Sequence, residues 1–374
     1  MSLHHNLRDL RGRDDKPFSS IDVPAYAPYR DGKGQLDVGM KPIEIPSRRD
    51  WEDVLFEIDK FWPYYMNKKH WLFEHYRNDV YQDINKKKMS SSHGVLGMMT
   101  HLTVTDLEHD YGAYGAVVKN PNWDDWNTKE PSYEPRYFER VEREETKTNL
   151  KYTYRNFFGG PLVSMESFGR KKYGLEEMAR FVQEDLCLLR RRDDGWNLRA
   201  AAVCFPSYWS LKEKMGKPLD LIHGPVPQLT PGINEVLTSK MDALEHQAPV
   251  ERFNWTLTCD SELYQPTSYR SEPPTFSDSE AGDKIFVRVE RQTLSKMRSG
   301  DILFTIRTYI NPLKAICVDL ELAAGLHDSI MNTPMEVLLY RGVDKFGSQV
   351  LRYIDNTRRG GVGSDVCPEG YHRG

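Results

Sequence analysis

Apolar and polar positions along this chain follow two periods, and each period predicts a different element. Val54, Leu55, Ile58, Phe61 and Trp62 recur at helical spacing, Pro63 interrupts, and the aromatic-rich run from Tyr64 to Phe73 resumes the pattern. A helix, a break and a second helix are predicted there. Further on, Leu175, Met178, Ala179, Val182, Leu186 and Leu189 share one helical face, with Glu176 and Glu177 in the first turn and Arg190 to Arg192 after the last. That spacing predicts a helix across 175–189. Residues 196–205 read as a strand. Residues 285–293 and 302–310 read as two more, joined near Gly300 into an antiparallel hairpin. Strands clustered between helices, without regular alternation, favour an α+β fold over a doubly wound parallel sheet.

Composition marks out the ends and the middle. Residues 1–39 are rich in Arg, Asp, Pro and Gly and read as an extended arm, most of it dispensable. The main domain is expected over 40–350, with an insertion at about 88–169 and a tail at 351–374. The insertion carries short strand patterns (Tyr152, Tyr154, Phe157) and aromatic residues among acidic ones (Tyr111, Tyr114, Trp123, Trp126, Tyr133). It reads as a surface insertion packed by its aromatics, or as a lid or docking surface. The hydrophobic share is 39% and net charge only -4, so a globular core is expected without the positive field that binds nucleic acid or anionic lipid. Five scattered cysteines without a C-x-x-C pair argue against a disulfide framework or a structural zinc. With no apolar leader at the N-terminus and no run long enough to span a membrane, a soluble, cytoplasmic protein is expected.

Common catalytic signatures are absent: G-x-S-x-G, the P-loop and H-E-x-x-H do not occur. None of the eleven histidines is followed two positions later by an acid, which weakens a non-haem iron site. The hairpin is the unusual feature. Arg288, Glu290 and Gln292 share one strand face, with Arg291 on the other and Arg307 on the partner strand. Such a face is either a solvated salt ladder, at about 0.2–1 kcal/mol per pair, or a pocket wall whose arginines bind acidic groups of a ligand. A short helix is expected at Lys217 to His223, opened by Pro218 and closed by Gly224 and Pro225. His223 at its rigid end is either a capping histidine or an axial ligand beside a glycine that admits a flat cofactor. Cys204, at a strand end, is core filling or an alternative thiolate ligand. Arg252-Phe253-Asn254-Trp255 alternates on a strand, as pairing or as pocket lining.

Taken in order, several of these stretches resemble one family. They are Val182 to Leu186, Val203 to Ser207 with Trp209, Lys214 to Pro218, Ile222 to Pro227, Arg252 to Trp255, Arg288 to Thr293 and Thr305 to Tyr309. Their order and separation resemble the α subunit of haem-dependent oxidative N-demethylases and its fungal-type relatives. The resemblance runs from about residue 174 to 340, with 40–74 similar to the family's N-terminal helical portion. It implies a PAS-like fold around haem b, and oxidative removal of methyl groups from small amines with dioxygen and electrons from a flavin or iron-sulfur reductase partner. Carried onto this chain, it implies His223 as the iron ligand and Arg288, Arg291 and Arg307 as contacts to the haem propionates. Glu290, Asn254, Gln292 and Tyr309 are then the polar groups that orient a small organic substrate or move protons. A gas or redox sensor without turnover, and a haem-free relative, are the rival readings.

Overall fold

The computed structural model describes residues 24–33, 39–45, 55–56, 61–84, 138–145, 150–156, 162–167, 175–180, 182–224, 226–227, 231–267, 276–297 and 299–360, the strands between 138 and 167 as backbone only. In chain order its main elements are β1 (Lys41–Pro42), α1 (Trp62–His75), α2 (Arg77–Val80), β2 (Tyr81–Asp83), β3 (Phe138–Glu145), β4 (Leu150–Asn156), β5 (Leu162–Ser167), α3 (Leu175–Ala179), β6 (Asp185–Arg192) and β7 (Gly195–Ala202). Next come α4 (Leu211–Lys214), α5 (Leu219–His223), α6 (Pro231–Asp242), β8 (Val250–Thr258), α7 (Ala281–Lys284), β9 (Phe286–Lys296) and β10 (Ile302–Pro312). Four helices end the chain: α8 (Leu313–Cys317), α9 (Leu320–Met331), α10 (Met335–Tyr340) and α11 (Val343–Arg358). An antiparallel sheet in the order β1-β8-β9-β10-β6-β7-β2 is flanked by these helices, so the fold is α+β. The hairpin of β9 and β10 forms at its centre, pairing Arg291 with Arg307 and Glu290 with Thr308. Within the expected insertion, β3, β4 and β5 make a separate antiparallel sheet.

Two faces of the large sheet are covered differently. On one, α1 packs over Leu186, Leu188, Ala200, Ala202 and Leu303. Beside it, α8, α9 and α11 pack over Trp255, Leu257, Val287 and Val289. On the other face, Leu219 and Ile222 of α5 and Leu237 and Met241 of α6 cover Cys187, Leu189, Leu294 and Ile302. Helices α5 and α6 therefore shield only the hairpin-turn end of that face, and the end nearer residue 288 is lined by polar side chains.

Three expectations change. The helix expected across 175–189 stops at Ala179, and residues 185–192 are strand β6. Leu186 and Leu188 are buried on one side of it and Cys187 and Leu189 on the other. A strand buried on both faces shows no alternation, and its apolar run falls on helical spacing by coincidence. Pro63 lies in the first turn of α1, where its missing N–H costs nothing, and so opens that helix instead of breaking one. The first of the two expected helices falls mostly outside the described residues. Lastly, the boundary at 350 falls inside α11, whose Tyr353 and Ile354 are buried in the core.

The described part of the N-terminal arm is also integral. Tyr29 is fully buried, and Ser329 of α9 donates to its carbonyl at 3.0 Å. Asn332 donates to the carbonyl of Gly32 at 3.0 Å. Gly325 leaves the space this crossing needs: a Cβ there would lie 2.4 Å from the Arg30 carbonyl oxygen.

Candidate functional site

Strand register sorts the expected site residues onto the two faces. Asn254 lies opposite Glu290, Arg252 opposite Gln292 and Thr256 opposite Arg288, so these six share the face that carries α5. Arg291 and Arg307 face each other on the reverse side, where Phe253 is opposite Arg291 and Tyr309 opposite Val289. Glu290, Asn254 and Gln292 are therefore brought together, and Tyr309 is not among them.

Glu290 is the best-defined group on the first face. Ser207 donates its hydroxyl to Oε1, and Gln292 donates to Oε2 at 2.8 Å. Ser207 in turn accepts from Arg288 Nε at 2.8 Å. The remaining Arg288 donors reach the carbonyls of Phe205 at 2.8 Å, Leu263 at 2.9 Å and Glu262 at 3.1 Å. At 1% exposure this guanidinium clamps two loops together, with four of its five N–H donors taken. Tyr208, next to Ser207, holds a left-handed backbone with φ of 64°. Such a conformation persists only where surrounding contacts fix it, and here the clamp and the Tyr208 N–H bond to Gln265 at 2.7 Å do so.

His223 ends α5 on the same face. Pro218, extended with ψ of 158°, starts this one-turn helix, and Gly224 closes it in an αR conformation. Its Nδ1 is buried and makes no hydrogen bond of ordinary geometry, although the Asn234 side chain lies close enough to act on the ring as a hydrogen-bonding neighbour. Burial, reinforced by the charges of Arg252 and Lys214, pushes the imidazole down to about 4, although Asn234 and Asp220 act the other way. The ring is thus neutral at physiological pH, the form that binds metals. Arg252 also lies within electrostatic reach of Arg341 and of Tyr340, whose hydroxyl is pushed up by burial and by Glu290. Among the described residues no three His, Cys, Asp or Glu side chains converge as a metal site. A metal here would bring most of its own ligands, as porphyrin-bound iron does.

On the reverse face, arginines and aromatic rings fill the seam between the two apolar clusters. Arg307 lies between the rings of Tyr65 and Tyr309, at 4.2 and 4.7 Å. Arg291 Nε bonds Glu251 at 2.8 Å, and Tyr26 of the arm stacks 5.3 Å from Tyr309 and 4.9 Å from Phe253. These contacts make Arg291 and Arg307 part of the packing between helices and sheet, across the sheet from His223.

Cys204 lies elsewhere again. Its side chain is fully buried in the cluster under α1, and its backbone N–H, with that of Phe205, donates to the Asp185 carboxylate at 2.8 and 2.9 Å. Burial pushes the thiol up, out of the range in which a thiolate forms. Burial also pushes Asp185 up to about 6 against the opposing charge of buried Lys69. Lys69, itself pushed down, donates to the carbonyls of Ala179 and Glu184.

Sequence reasoning passed over Ser207 as a partner of Glu290, the Lys69 and Asp185 pair, and Tyr340 with Arg341. The positive φ at Tyr208 has no sequence signature, and Arg341 sits where a helix meets a strand edge, a tertiary placement. The shallow depression of about 540 Å³ bounded by Leu244, His246, Lys296 and Gly300 contains none of the expected residues.

Fold and site together define a helix-flanked antiparallel sheet that carries a buried neutral imidazole and a hydrogen-bonded carboxylate on one face. Comparison with protein families matches the haem-dependent oxidative N-demethylase, alpha subunit-like family over residues 47–351, and the chain belongs to that family. Among the described residues no helix is long and apolar enough to cross a membrane.

Proposed function

We propose that this protein is a haem-dependent oxidoreductase in which His223 supplies the axial imidazole, and that it oxidises a small organic substrate of the amine class. The observation that carries the reading is the buried, neutral His223 ring on the polar face of the sheet, at the rigid end of α5 and with no hydrogen bond of ordinary geometry to Nδ1. The PAS-like description is supported by the five long central strands, which run 2-1-5-4-3 when numbered among themselves, with helices α4 to α6 between the second and third. Haem b bound here would supply oxygen activation and accept electrons from a flavin or iron-sulfur reductase in the cytoplasm.

The chain's own residues have separable tasks. His223 presents a lone pair because burial, and then the charges of Arg252 and Lys214, keep a proton off it. Glu290 is held in place by Ser207 and Gln292, with Asn254 opposite it on β8, so a substrate N–H or O–H meets a fixed acceptor. Arg288 holds the 205–208 loop that aims Ser207 and stays out of the chemistry.

Reconstitution with ferric hemin tests the assignment. The protein should give a Soret band that persists to about pH 5, below the usual histidine range, because His223 protonates only near 4. His223→Ala should shift or abolish that band. An unchanged spectrum in the variant would remove His223 from the iron. Incubation of the holoprotein with a reductase, dioxygen and methylated amines should release formaldehyde; reducible haem without turnover would indicate a sensor.

A further inference from the structure

The arginines nearest to hand in the sequence are spent. Arg288 has four of its five donors on carbonyls and a hydroxyl, and Arg291 and Arg307 lie across the sheet from His223. Arg341 is a fourth candidate at the sheet edge, within reach of both Trp255 on the reverse side and Arg252 on the side of His223. It is 4% exposed, no ion pair is formed by it among the described residues, and its Nε and Nη1 are buried without hydrogen-bond partners. Its guanidinium carbon lies over the Trp255 ring, 4.4 Å from the centroid. Stacking satisfies the face of a guanidinium and leaves its in-plane N–H groups unmet, and these are the groups that grip a carboxylate in bidentate fashion.

Position supports the same conclusion. Beyond Glu251, β8 has no strand neighbour on its outer side among the described residues, since β1 pairs only with Val250 and Glu251. The Arg341 carbonyl accepts from the Leu257 N–H at 3.0 Å, which fixes this residue to that open edge. Gly342 follows with φ of 69°, and a Cβ there would lie 3.1 Å from the Leu257 carbonyl oxygen. The turn is thus held against the strand. Arg252, on the same strand, lies within electrostatic reach of both Arg341 and His223, and so stands between the imidazole and the Arg341 guanidinium.

We propose that Arg341, assisted by Arg252, anchors a ligand carboxylate at the open edge of β8. Building on the haem reading, the carboxylate is a porphyrin propionate; a free carboxylate substrate presents the same chemistry. The assignment makes Arg341 and Arg252 the anchors in place of Arg288, Arg291 and Arg307.

Titration of the full-length apoprotein with hemin, with hemin dimethyl ester, whose carboxylates are blocked, and with succinate separates the cases. The parent should bind hemin at least about tenfold more tightly than the ester, as one charge-assisted pair requires. Arg341→Gln and Arg252→Gln should each shrink that ratio, Arg341→Lys should keep part of it, and circular dichroism should confirm that all are folded. Equal parent affinity for hemin and ester, with no succinate binding, overturns the anchor while leaving the haem reading intact. Failure to bind either porphyrin overturns the haem reading; succinate binding lost in Arg341→Gln would then assign the anchor to a free carboxylate. If succinate does not bind either, the anchor falls too. A parent preference for hemin that both glutamine variants retain in full would also sink it.

Discussion

Gly325→Ala tests how far the site depends on the N-terminal arm. A Cβ at this position of α9 would lie 2.4 Å from the Arg30 carbonyl oxygen and 2.7 Å from its carbonyl carbon and Cα, all backbone atoms that cannot rotate away. Ordinary contact needs about 1 Å more, so either the helix or the arm must shift, and overpacking of this kind costs about 1–3 kcal/mol. If the arm lifts instead, Tyr29 is exposed, at about 1.5–3 kcal/mol, and the Ser329 and Asn332 bonds to it are lost, at about 0.5–1.5 kcal/mol each. Alanine returns about 1 kcal/mol through helix propensity. The cheaper route prevails, and the net loss should be about 1 kcal/mol. Urea unfolding followed by tryptophan fluorescence should show a lower midpoint, and trypsin should cut after Arg30, a bond the parent protects. Gly232→Ala, in the first turn of α6 with nothing within 4 Å of the added carbon, is the control: its midpoint should hold or rise, and Arg30 should stay protected. An unchanged midpoint together with unchanged protection at Arg30 would refute the reasoning.

Two further outcomes follow from buried charges. Arg288→Lys keeps the charge but cannot reach Ser207 and the carbonyls of 205, 262 and 263 together, so about 3 kcal/mol should be lost in the same urea assay; parent-like stability would show that the clamp is dispensable. Asp185 is raised from 3.8 to about 6, so in that window the folded state keeps a proton the unfolded chain gives up. Its contribution is therefore greatest below 3.8 and falls as pH rises to about 6. The melting temperature of the parent minus that of Asp185→Asn should decline across this range and level off above it, and parallel profiles would contradict the assignment.

What the chain reveals on its face, and what it hides, follows from how each element is buried. The β9–β10 hairpin was legible because Arg288, Glu290 and Gln292 alternate with Val287 and Val289, and that alternation also placed Arg291 on the reverse side. Strand β6 was misread because neither face meets water. His223 stood out through Pro218, Gly224 and Pro225, local signals of a rigid helix end, whereas its lowered pKa comes from burial first and then from Arg252 and Lys214, which only folding brings near. The arm looked dispensable because its composition is polar. The contacts that hold it use backbone carbonyls of Tyr29 and Gly32, and carbonyls carry no sequence signature.

Trp255 shows why these features belong to one arrangement. Tyr29 of the arm meets its ring edge-on at 6.0 Å, and Arg341 lies over the same ring at 4.4 Å. The indole is 2% exposed, so it cannot turn without disturbing one neighbour or the other. Two strand positions from Phe253, which stacks on Tyr26, it gives the arm a second hold on β8. A shift of the arm therefore reaches Arg341 through a single rigid ring, around the sheet edge and toward the face that holds His223. Packing of this density transmits displacement, because an interior filled like a crystal has no slack to absorb it. The segment that composition marks as peripheral is thus one wall of the support beneath the guanidinium, and its loss should weaken carboxylate binding before it unfolds the sheet.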